Sequence, residues 1–174
     1  SPPSDLQQTD TYFVVAHIHY VLVGGAMMGI LAGIYYWWPK MFGTVLHEGM
    51  GKAHWLLMMI GMNIAFFPMH FIGLLGMPRR IYTYDTQLGL DTMNLVSTIG
   101  AFILGASFLI MIYNVWWTVR KGAKAEKNRW GGATLEWAIS SPPPVYNFSV
   151  IPTVKSRIPL WIEGCGKACV PGPL

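Results

Sequence analysis

His17 and His19 stand two residues apart in Tyr12-Phe13-Val14-Val15-Ala16-His17-Ile18-His19-Tyr20-Val21-Leu22, a run with no Asp, Glu, Lys or Arg. An imidazole is a metal ligand, and inside an apolar helix it costs free energy unless it has a partner. At about 100° per residue, an i, i+2 pair points in nearly opposite directions, roughly 200° apart around the axis. The two rings therefore cannot easily share one metal, but each can ligate a separate centre on either side of the same helix. Zinc suits them poorly, because its tetrahedral sites want several His or Cys ligands at one point. Haem needs only one or two axial imidazoles and an apolar slot beside a helix. The competing reading is a packing histidine bonded to a neighbour's carbonyl.

The elements that must hold this pair are membrane helices. Of the 174 residues 53% are apolar and 11% charged, against about 25% charged in soluble domains. Tyr12 to Trp38, Trp55 to Met77 and Met93 to Val119 lack all four charged residue types, and each exceeds the ~20 residues that cross a hydrocarbon core. Lipid tolerates only helices or closed barrels, and strand alternation is absent. The expectation is an all-α membrane protein with an outer loop over 1–11, a three-helix transmembrane segment over 12–119 that forms part of a larger helix bundle, and an extended cytoplasmic tail over 120–174, basic and then Pro-rich. Its surroundings are a lipid bilayer, with no nucleic-acid partner.

Asp5 and Asp10 precede the first stretch, and Lys40, Glu48 and Lys52 separate it from the second. Arg79, Arg80, Asp85 and Asp91 lie before the third, and Arg120, Lys121, Lys124, Lys127 and Arg129 follow it against Glu126. The positive-inside rule puts the amino end outside and the carboxyl tail inside. Trp37-Trp38 and Trp116-Trp117 then fall at the inner interface, as an aromatic belt. Gly25, Gly29 and Gly33 form one small face, the pattern that lets another helix approach closely. A polar Ser-Pro-Pro-Ser opening without Met or signal peptide reads as part of something larger, and three helices lack the walls to enclose two cofactors.

His17 and His19 lie about five and seven residues into the first stretch, roughly 8 to 11 Å below the outer boundary. Arg79-Arg80 closes the second stretch on that same side, an exception to the charge rule. A haem edge-on to the helix with propionates outward would bring its carboxylates to these arginines, whose planar guanidinium suits two-oxygen recognition.

Asp10-Thr11-Tyr12 through His17-Ile18-His19-Tyr20, Phe66-Phe67-Pro68-Met69-His70-Phe71 and Gly76-Met77-Pro78-Arg79-Arg80 resemble subunit I of the haem-copper terminal oxidases, of the cytochrome c oxidase type. Trp130-Gly131-Gly132-Ala133-Thr134-Leu135-Glu136-Trp137 and Ser141-Pro142-Pro143-Pro144-Val145-Tyr146-Asn147-Phe148 resemble bacterial members. The resemblance covers residues from about 8 to 148, as a carboxyl-terminal segment.

That resemblance implies His17 as the axial ligand of the high-spin, oxygen-reactive haem and His19 as one axial ligand of the low-spin haem. It implies that Arg79 and Arg80 hold haem propionates and that Ile18 and Phe13 pack beside porphyrins. The two haems would be of the a type, with copper ligated by histidines outside this segment. Asp10 matches a ligand of a non-redox Mg or Mn ion, although Thr9 stands where many members carry His; a helix cap is its other reading. The implied activity is reduction of oxygen to water by cytochrome c coupled to proton pumping, and the implied partners are the remainder of subunit I with subunits II and III. The implied location is a bacterial cell membrane or a mitochondrial inner membrane. A quinol-oxidising member of the superfamily, or a haem-binding electron carrier that never meets oxygen, is the alternative. His70 can join the propionate network or lie at the interface, His47 and His54 are expected to be solvated or capping, and Cys165 and Cys169 have no assigned role.

Overall fold

The computed structural model describes residues 2–154 and 156–160, so Cys165 and Cys169 lie outside the described residues. Every regular element among them is helical, with two isolated bridges, Thr11 to Pro78 and Thr44 to Lys124. Three helices are long and apolar enough to cross a membrane: Tyr12–Phe42, Glu48–Leu74 and Asp91–Lys121. The all-α membrane class follows as expected. The described residues form two compact units, one of residues up to Gly33 with Glu48–Asn114, the other of Ile34–His47 with Val115 onward.

In the first unit, the opening is not the loop expected of residues 1–11. Pro2–Gln8 forms a helix, α1, because proline at a helix start brings a preset φ and loses only an N–H that would have no intrahelical partner. Thr11 then caps α2 (Tyr12–His19), accepting the Phe13 N–H at 3.2 Å and donating to the Gln8 carbonyl at 2.6 Å. The capping role considered for Asp10 thus belongs to its neighbour. The helix continues as a π-helix over Tyr20–Met27 and returns to α winding as α3 (Met28–Phe42). Gly24, inside the π segment, faces the flexible end of Met62: a Cβ there would lie 2.8 Å from Met62 Cε, which would have to move aside.

Helices α4 (Glu48–Leu74) and α5 (Asp91–Lys121) approach through glycine. A Cβ on Gly100 would fall 2.2 Å from the Ala65 nitrogen, and one on Gly61 would fall 2.6 Å from the Leu104 nitrogen. Gly73 likewise admits the Phe13 backbone, with a Cβ-to-nitrogen distance of 2.1 Å. Without a hydrophobic drive between helices in lipid, such backbone approach is the main source of packing. The small face Gly25, Gly29 and Gly33 plays no such part among the described residues, where nothing lies within 4 Å of a Cβ at any of the three. The contacts come instead from glycines with no regular spacing, which a search for small-residue periodicity does not find. His54, expected to be solvated, is buried at 2% exposure with its ring edge toward Phe108; His47 is exposed as expected.

In the second unit the described part of the tail is folded rather than extended. Lys40 is buried and donates to the carbonyls of Lys127, Ile139 and Ser140 at 3.1, 2.9 and 3.3 Å, with Trp137 at 5.2 Å. Trp137, fully buried in a 3-10 turn (Leu135–Ala138), stacks on Trp37 and meets Tyr36 edge-on. Trp130 donates its indole N–H to the Tyr36 carbonyl at 2.9 Å. Trp38 is buried and bonded to Thr44 rather than lying in an interfacial belt. Tryptophans of the expected belt therefore serve as the seat of the tail.

Gly100→Ala is expected to cost about 1–3 kcal/mol as an overpacked contact, while Gly105→Ala, with nothing within 4 Å, leaves stability unchanged or raised; thermal inactivation of the membrane-embedded complex separates them. Lys40→Met removes three charge-assisted bonds, each worth about 1.5–3 kcal/mol, and is expected to speed limited proteolysis within residues 123–140.

Candidate functional site

The candidate site is built on α2 and the part of α4 that faces it. His19 Nδ1 lies 2.7 Å from the Val15 carbonyl oxygen. A carbonyl can only accept, so Nδ1 carries a proton, and in the neutral ring Nε2 is the nitrogen left with its lone pair. This is the arrangement that presents an imidazole to a metal with its other nitrogen anchored. The ring stacks on Phe66 of α4, centroids 4.2 Å apart and planes 15° from parallel. One turn of the interface further, the Tyr20 hydroxyl donates to Asn63 Oδ1 at 2.8 Å, and Asn63 donates to the Met59 carbonyl at 2.8 Å. His70 lies edge-on to Phe13 at 5.0 Å, with its Nδ1 3.2 Å from the Phe67 carbonyl. It belongs to the α2–α4 interface.

His17 is exposed, and its ring makes no hydrogen bond among the described residues, while Ala16 beside it is wholly buried. His19 thus lies against α4, while His17 is exposed. Ile18 is 41% exposed and leaves an apolar surface between them.

Arg79 and Arg80 follow from the way α4 ends. Gly76 adopts φ +95°, the Met77 N–H reaches back to the Ile72 carbonyl at 3.2 Å, and Pro78 forbids continuation, the glycine-then-proline stop of many helices. Ile72, Met77 and Leu90 form a buried cluster with Tyr12 and Tyr84 packed against it. The chain then pairs with the entry to α2: the Tyr12 N–H donates to the Met77 carbonyl at 3.1 Å and the Arg79 N–H to the Asp10 carbonyl at 2.9 Å. The side chains follow the backbone. Arg79 donates from Nε to Asp10 Oδ1 at 2.8 Å, and a second guanidinium nitrogen joins the same oxygen.

Asp10 and Arg80 both hold left-handed φ, 56° and 67°, where non-glycine residues store strain that surrounding structure must hold. Tyr84, near this junction, titrates above the usual phenol range, first through desolvation and then through its hydrogen bond with Asp91. Among the described residues no three His, Cys, Asp or Glu side chains cluster as a metal site. A cavity of about 520 Å³ is lined by Tyr12, Met77, Asn94 and Ser97 among others, and by none of the candidate ligands His17, His19, Asp10, Arg79 and Arg80.

The structure therefore joins Asp10 to Arg79, which sequence did not foresee across 69 positions, and it adds Phe66 and Asn63 to the histidine helix. No spacing rule announces such partners; only the motif Phe66-Phe67-Pro68-Met69-His70 hinted that α4 mattered.

A family model described as "Cytochrome C and Quinol oxidase polypeptide I" matches residues 1–103. This chain belongs to that family. It is 54% identical over 161 residues, 92% of the chain and 26% of the relative, to cytochrome c oxidase subunit 1 of Bacillus subtilis. It is 51% identical over 152 residues, 87% of the chain and 27% of the relative, to cytochrome c oxidase subunit 1 of Thermostichus vulcanus. Quinol oxidase subunit 1 of Bacillus subtilis is 50% identical over 157 residues, 88% of the chain and 24% of the relative. The chain thus spans about a quarter of the length of these curated relatives. Membership in this oxidase family accords with three helices able to cross a membrane.

The left-handed conformation at Arg80 makes a β-branched residue there unfavourable: Arg80→Val is expected to lower the stability of the complex by about 1 kcal/mol more than Arg80→Asn, read as the difference between their thermal midpoints.

Proposed function

We propose that this chain supplies one wall of the haem sites in subunit I of a haem-copper terminal oxidase that takes electrons from cytochrome c, with His19 an axial ligand of the low-spin haem and His17 that of the high-spin haem. The observation that carries the reading is the His19 geometry: Nδ1–H donated to Val15 and the ring clamped on Phe66. A ligand so held keeps one tautomer and one ring orientation, and the carbonyl raises the basicity of the ligating nitrogen. His17, exposed and on a different face, suits a second centre. When bound, the two haems of a type supply electron relay and, with copper ligated outside this segment, reduction of oxygen to water.

The other residues orient and neutralise. Arg79 and Arg80 offer planar cations to haem propionates, and Asp10 sets the direction of Arg79 through their ion pair. That pairing favours Asp10 as a carboxylate that positions arginine over Asp10 as a magnesium ligand. The remaining walls would come from the rest of subunit I with subunits II and III. The basic cluster 120–129 supports an orientation with the carboxyl tail on the inner side of the membrane and the amino end outside. A bacterial cell membrane accords with the bacterial relatives, and proton pumping would then be a property of the complete complex. A quinol donor is the second reading, favoured by the similarity to quinol oxidase subunit 1 at 50% identity.

Reduced-minus-oxidised spectra of the purified complex, with and without carbon monoxide, test the assignment. His19→Leu is expected to remove the low-spin band and spare the carbon-monoxide-sensitive one, and His17→Leu to do the reverse. Retention of both bands in either variant overturns the assignment, and oxygen uptake with ferrocytochrome c against quinol decides the donor.

A further inference from the structure

The carboxyl end of α5 carries two cations laid over two tryptophans one helical turn earlier. The Arg120 guanidinium carbon sits 4.3 Å from the Trp116 ring centroid, and Lys121 Nζ sits 4.8 Å from that of Trp117. Four-residue spacing puts each cation above its ring, and the ring face attracts it by its quadrupole. Stacking restricts two flexible side chains and holds their charge beside apolar surface: Trp116 is 48% and Val119 70% exposed. Arg120, Lys121 and Lys124 are all exposed. Between Val115 and Leu135 the sequence has Arg120, Lys121, Lys124, Lys127 and Arg129 against Glu126 alone, and no ion pair to any of the five is found among the described residues.

Compensation of the helix dipole accounts for a cation or two in the last turn. It does not account for a run of five, or for cations held next to exposed tryptophan at the end of a helix able to cross a membrane. An ordinary solvated basic face would keep its long side chains free in water. Here one surface offers, side by side, an apolar strip for acyl chains and adjacent, oriented donors for a phosphodiester.

We propose that this end of α5 is a binding site for an anionic glycerophospholipid, whose phosphodiester is held by Arg120 and Lys121, with Lys124 adding charge and acyl chains lying along Trp116 and Val119. Anionic headgroups concentrate at membrane surfaces where juxtamembrane basic residues meet them. The site requires neither of the haem assignments. It requires only that α5 spans the membrane.

The test uses the intact, delipidated oxidase complex returned to phosphatidylcholine bilayers containing trace spin-labelled phosphatidylglycerol or spin-labelled phosphatidylcholine. The expected result is preferential immobilisation of phosphatidylglycerol, reduced about 30-fold in Arg120→Gln/Lys121→Gln at low salt and restored in the charge-conserving Arg120→Lys/Lys121→Arg. Unchanged haem spectra show that the variants still assemble. Equal immobilisation of the two lipids, or a preference that survives the double neutralisation, overturns the proposal. Displacement of the bound label by millimolar inorganic phosphate overturns it as well, by revealing a site for soluble anions in place of lipid.

Discussion

Lipid offers no hydrogen bonds, so a polar group within a membrane span must be satisfied by the protein or by something the protein binds. The backbone meets this demand by forming helices, and the imidazole of His19 meets half of it by donating to Val15 one turn back. The other half is the open nitrogen. That open nitrogen on a ring stacked against Phe66 is the feature on which the proposed haem ligation rests, and His17 stands exposed two residues away. Much of the first unit can be read as the machinery that keeps these two rings in place.

That machinery depends on close backbone approach. Gly73 lets the start of α2 lie directly on α4, and Gly61 with Gly100 does the same for α4 and α5. The α2–α4 approach puts Phe66, Asn63 and His70 beside the histidine helix. The end of α4 at Gly76 and Pro78 then turns the chain so that Arg79 pairs with Asp10 at the entry to α2. Strain at Asp10 and Arg80 is retained because backbone bonds on both sides of the junction hold it. A cationic pair and a histidine pair are thus carried by the two ends of one helix–helix contact.

The second unit applies the same rule to a different problem. A lysine buried near the end of an apolar helix would be costly alone, and Lys40 is offset by three carbonyls of the returning tail. The tail in turn covers Trp37 with Trp137. Tryptophans that composition alone marks as interfacial anchors divide into two uses: Trp37 and Trp38 pack within the protein, while Trp116 and Trp117 support cations at the end of α5.

Class and span number were legible in the sequence, because hydropathy and the absence of charge are local properties that lipid enforces on each segment separately. The opposed directions of His17 and His19 were legible too, since helical geometry relates neighbours two positions apart without reference to any other part of the chain. The π winding after His19, the burial of His54, the helix at Pro2–Gln8 and the absence of contacts at the Gly25, Gly29 and Gly33 face among the described residues were not. Nor was the pairing of Asp10 with Arg79. Each of these depends on which segments meet and at what register, and that is decided by packing among residues far apart in the chain, where no spacing rule reaches.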